Sequence, residues 1–145
     1  MKTDLQTAIE LLTKGEYTCV LCKGDSIFTS TERGVKPLLN WLDNGLAFKD
    51  FSAADKVVGK ATALLYVLLG VKEVYAPVMS EGAVSVLTEN GISVQYDTLA
   101  KSIINRAGTG ICPMESAVMD ISEPQDAVAA IKTRLAALQN GNKQG

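Results

Sequence analysis

Apolar residues return at helical spacing near the start of the chain, where Leu5, Ala8, Ile9 and Leu12 share one face. Thr3 and Gln6 form a capping-box pair before them, and Gly15 is placed to end the helix. Tyr17 to Lys23 and Ser26 to Thr29 read as strands joined by a Gly24-Asp25 turn. Pro37 then suits a first helical turn ahead of Leu38, Leu39 and Leu42.

The most apolar stretch follows. Asp55 to Leu69 predicts a helix, with Val57, Val58, Ala61, Leu64, Leu65 and Leu68 leaving little polar surface, so it should be covered on most sides. Gly70 ends it. Val71 to Val78 reads as a strand, Glu81 to Asn90 as a helix closed by Gly91, and Ile92 to Tyr96 as another strand. Thr98 to Arg106 reads as helical, 107–113 as a glycine-bearing loop, and 114–121 fits no single pattern. Val128, Ile131, Leu135 and Leu138 mark a last amphipathic helix with Pro124 in its first turn.

Strands alternating with helices place helices on both faces of a sheet, and the early hairpin makes that sheet mixed. The expected fold is α/β, a three-layer α-β-α arrangement around a mixed sheet of about five strands. It forms one domain over residues 1–139, with a disordered tail over 140–145.

Composition narrows the function. The 145 residues are 47% hydrophobic and 21% charged with a net charge of -2, a globular balance without a basic stripe, which argues against nucleic acid as a partner. The opening residues lack a signal-peptide core, and the run Ala61 to Val71 is too short to span a bilayer. These features predict a cytoplasmic protein with no membrane partner, and they leave room for a homo-oligomer. In a reducing compartment its three cysteines stay as thiols. Cys19 and Cys22, three apart on a strand, point to opposite faces and cannot share a metal. Histidine is absent, so the commonest general base and metal ligand are missing.

The segment Val58-Gly59-Lys60-Ala61-Thr62-Ala63 resembles the start of the first active-site helix of cytidine deaminases, and Tyr75-Ala76-Pro77-Val78-Met79-Ser80-Glu81 resembles their Pro-Cys-x-x-Cys segment. Val58 stands where that family has its histidine, Lys60 where it has glutamate, and Val78 and Glu81 where it has cysteines. Valine offers no lone pair, so zinc deamination is excluded on this alignment and no metal or other cofactor is expected. The chain from about Leu5 to Ile131 is more similar to a bacterial family of unknown function with a deaminase-like fold and no zinc site. Glu32-Arg33-Gly34-Val35-Lys36-Pro37-Leu38, Asp55-Lys56-Val57-Val58-Gly59-Lys60-Ala61, Ile104-Asn105-Arg106 and Cys112-Pro113-Met114-Glu115 carry that resemblance. It implies a fold and no established activity.

Lys56 and Lys60, four apart on the expected helix, would stand together at its N-terminus beside Asp55. Cations there oppose the helix dipole unless an anion intervenes. The expectation is a regulatory or sensor-like module for a small anionic ligand, nucleotide-derived molecules being one candidate class, bound by Asp55, Lys56 and Lys60, with Arg33, Lys36, Asn105 and Arg106 as loop contributors. A zinc-independent enzyme is the alternative, with Cys112 as nucleophile and Lys60 or Glu115 moving a proton. A protein-interaction domain is the third.

Overall fold

The computed structural model describes residues 2–32, 34–104 and 108–144. The chain forms α1 (Asp4–Lys14), β1 (Cys19–Lys23), β2 (Ser26–Ser30), α2 (Lys36–Asp43), β3 (Ser52–Asp55) and β4 (Val57–Val58). It continues as α3 (Lys60–Leu69), β5 (Glu73–Ser80), α4 (Glu81–Glu89), β6 (Ser93–Ala100), α5 (Pro113–Ala117) and α6 (Pro124–Gln144).

Six strands build one mixed sheet. β1 is antiparallel to β2 and β3, whereas β3, β4 and β6 all run parallel to β5. β3 and β4 lie end to end along the same edge of β5, because Ala53 pairs with Val74 and Val58 with Met79 in one unbroken register. The two are a single lane broken at Lys56, so the six strands occupy five lanes.

Side chains alternate across this sheet. Cys19, Leu21, Ala53, Val74 and Ala76 face the main core, which α3 fills with Leu64, Leu65 and Leu69 and to which Leu38, Leu87 and Ile131 contribute. Val20, Cys22, Ala54 and Tyr75 face the opposite way and are covered by Ala8 and Leu12 of α1. Cys19 and Cys22 therefore do lie on opposite faces. The Thr3–Gln6 capping box also forms, with Gln6 N–H donating to the Thr3 hydroxyl and Thr3 N–H to the Gln6 side chain.

Two expected elements differ. The long helix does not begin at Asp55: Asp55 ends β3, Val57 and Val58 form β4, and α3 starts only at Lys60. Gly59 is extended at φ -101° and ψ -176°, which ends the strand and sets the helix start. An apolar run does not by itself separate helix from buried strand, and β-branched valines fit the pleat better. Lys56 and Lys60 consequently do not share a helical face. The expected helix over 98–106 is also corrected. β6 runs through Thr98 and Leu99 to Ala100, since β5 extends to Ser80 and gives it a full partner. α6 itself runs from Pro124 to Gln144.

Candidate functional site

α3 has no side-chain cap of its own, since its N-cap is Gly59. A helix start leaves backbone N–H groups without partners. Here Glu115 of α5 supplies them: its Oε1 accepts from Lys60 N–H at 2.8 Å and its Oε2 from Ala61 N–H at 2.9 Å. A carboxylate at a helix N-terminus also complements the dipole. Glu115 thus places a carboxylate of the chain itself at this helix start. Glycine at 59 is what permits the approach, because a β-carbon there would overlap the Glu115 carboxylate.

Lys60 turns its amine to the Met119 carbonyl at 3.1 Å. Its β-carbon would stand 3.5 Å from a methyl added to Gly82, so the starts of α3 and α4 are neighbours.

Beside Glu115 opens a cavity of about 500 Å³, lined in part by Val35, Val57, Ala61, Ile103 and Met114, with Asp55, Lys56, Cys112 and Glu115 also on its wall. It lies beyond the carboxyl end of β3, where ligands commonly bind in α/β sheets. Of the residues singled out from sequence, Asp55, Lys56, Cys112 and Glu115 meet there, whereas Lys60 is not on its wall. Lys36 lines a separate groove with Glu32, Asn40, Asp43 and Lys132. Arg33, Asn105 and Arg106 lie outside the described residues.

Asp55 is 7% exposed, and its Oδ2 accepts from the Tyr66 hydroxyl at 2.7 Å. The Cys19 sulfur lies 3.1 Å from the same hydroxyl. Since Tyr66 donates its proton to the carboxylate, the thiol donates in turn to Tyr66. Burial pushes the Asp55 carboxyl up to about 7, against the lowering effect of the Tyr66 bond and of the Val57 and Lys56 N–H groups. Burial first, then the nearby Asp55 charge, drives both the Tyr66 hydroxyl and the Cys19 thiol well above their ordinary range. This network was missed from sequence. Its signal was Tyr66, whose hydroxyl interrupts the apolar run from Ala63 to Leu69.

Cys112, half-buried, lies on the cavity wall as the N-cap of the short α5. The two groups expected to activate it are engaged elsewhere: both Glu115 oxygens hold the α3 backbone, and the Lys60 amine donates to the Met119 carbonyl. Among the described residues, no three of His, Cys, Asp and Glu are placed to hold a metal ion. No helix among them is long and apolar enough to cross a membrane.

Against known proteins, a family model described as a domain of unknown function (DUF1893) matches residues 7–135. The chain belongs to the DUF1893 family. The crystal structure of a DUF1893 family protein from Thermotoga maritima is similar over 92% of each chain, with a TM-score of 0.83 and 24% identity. That level of identity carries the DUF1893 fold and nothing about activity. No curated protein matches the chain.

Proposed function

We propose that this DUF1893 chain is a small-molecule binding module built on a deaminase-like fold without zinc. The cavity beside Glu115 carries this reading. Its volume, about 500 Å³, suits a compact ligand, and its mainly apolar wall with a few polar groups is the usual composition of such sites. The deaminase-like reading is supported by the adjoining starts of α3 and α4, the two helices that the sequence resemblance concerns. At those positions stand Val58, Lys60, Val78 and Glu81, a set that offers no zinc site.

The charge of the wall bears on the ligand. Glu115 already serves the helix start, and Lys60 is turned to Met119, so an anion would rely on exposed Lys56 and on residues outside the described set. The described lining favours a neutral or cationic molecule over the nucleotide-derived anion. The enzyme reading is weakened in the same way, because Cys112 has lost both expected helpers.

A thermal-shift screen of small amines, alcohols, carboxylates and sugar phosphates, followed by NMR mapping of hits, tests the reading. Stabilising compounds should perturb Thr18, Val57 and Ile103. Hits that map only to the Lys36 groove, or a screen with no hits, would count against it.

A further inference from the structure

The cavity has an uneven polar floor. Among the described residues, four polar or charged ones are buried: Ser52, Asp55, Thr62 and Ser80. Ser52 donates to Glu73, Asp55 accepts from Tyr66, and Ser80 accepts from Ala83 N–H. Thr62 is 6% exposed, and its side-chain hydroxyl has no hydrogen-bond partner among the described residues. No buried side-chain polar atom there is both sealed off and without a partner, so the Thr62 oxygen opens onto the cavity it lines. An unpartnered hydroxyl in so buried a residue is a polar group that a molecule in the cavity would satisfy.

Thr62 and Tyr66 are one helical turn apart on α3, and Tyr66 binds the Asp55 carboxylate. Thr62 and Asp55 both line the one cavity, and Tyr66 ties the α3 face that carries Thr62 to the Asp55 carboxylate. Among the described residues its wall also carries Glu115, against one basic side chain, Lys56, which is exposed to solvent. The rest of the wall is largely apolar.

Resting on the binding-module reading, we infer that the cavity takes a small primary amine: a compact apolar body whose ammonium head sits between the Asp55 carboxylate and the Thr62 hydroxyl. The ammonium donates to both oxygens, and the hydrocarbon part fills the space by Val57, Ile103 and Met114. Burial that makes the bare Asp55 carboxylate unfavourable makes an ion-paired one favourable, since an opposite charge at contact restores the ionised form. A hydrogen bond to a charged group is also stronger than one between neutral groups.

The test uses three probes with one ring and different heads: benzylamine, benzyl alcohol and benzoate, titrated into nitrogen-15-labelled full-length protein. Benzylamine should bind at least about tenfold more tightly than either of the others, with shifts at Thr62 and Val57. Asp55→Asn should bring benzylamine to the affinity of the alcohol, and Thr62→Val should weaken it by about threefold or more. Equal binding of alcohol and amine at the cavity overturns the amine assignment and leaves the binding module standing. Tightest binding by benzoate overturns it in favour of an anion. No binding by benzylamine overturns it as well, while the wider screen decides the module separately. If Asp55→Asn does not fold, the ranking of the three probes on the wild-type chain decides alone.

Discussion

Glu115 grips the first two backbone N–H groups of α3, at Lys60 and Ala61, from fifty-five positions further along the chain. The contact fixes α5 against the helix start and so sets one wall of the cavity. It depends on Gly59, whose missing side chain leaves room for the carboxylate.

Glu115→Ala should destabilise folding by about 1–2 kcal/mol, the ordinary cost of a lost helix cap. Gly59→Ala should cost at least as much, since its methyl displaces the same carboxylate. In the double variant the two costs should fall short of their sum, because either change alone already breaks the contact. Urea denaturation of the four proteins measures this. Simple additivity would mean that the close approach does not exist in solution.

Stability should depend on Asp55 in a direction opposite to that of most carboxylates. Its ordinary value is 3.8, and burial raises the folded one to about 7. Between those values the folded chain keeps a proton that the unfolded chain has lost, so raising the pH favours unfolding. The contribution is full below about pH 4, declines towards about pH 7 and is then flat. The slope is at most about 1.4 kcal/mol per pH unit. Comparing wild type with Asp55→Asn across this range isolates the effect, and parallel profiles would contradict it.

Lys60→Ala should be nearly silent in the unliganded protein, within about 0.5 kcal/mol. The side chain makes an exposed bond to Met119, and the backbone N–H that Glu115 holds survives the substitution. A loss of several kcal/mol would show that the lysine charge has a structural task that these contacts do not contain.

Iodoacetamide should label Cys112 in the folded protein and spare Cys19 and Cys22, which are 1% and 0% exposed. A cavity ligand should slow that labelling. Mass spectrometry of tryptic peptides reads both outcomes. Rapid labelling of all three thiols would place the chain in a looser state than the one described.

Most helices and the hairpin were legible because their signals are local: a capping box at Thr3, a turn at Gly24-Asp25, a terminating glycine at 70. The segment from Ser52 to Val58 was not. Small residues and valines suit a strand buried on both faces as well as a helix, and only its pairing with β1 and β5 decides between them. That misreading carried into the site. The sequence marked Asp55, Lys56, Cys112 and Glu115, which do converge, but placed Lys56 and Lys60 on one face. The role of Glu115 depends on a contact between distant segments, which no local spacing encodes. Thr62 and Tyr66 were overlooked because an apolar helix hides its polar minority.

The break in the sheet at Lys56 has a consequence for how such a pocket can diversify. Registers on either side of the break are continuous, so residue 56 contributes no pairing to β5, and its own N–H is held by the Thr18 carbonyl whatever the side chain. Its neighbour Asp55 is locked into the interior, yet position 56 stands in solvent on the cavity wall. Exchanging that one side chain would change the size and charge of the cavity wall at almost no cost to the scaffold. The lining of the cavity and the integrity of the fold are thereby separated by a single peptide bond.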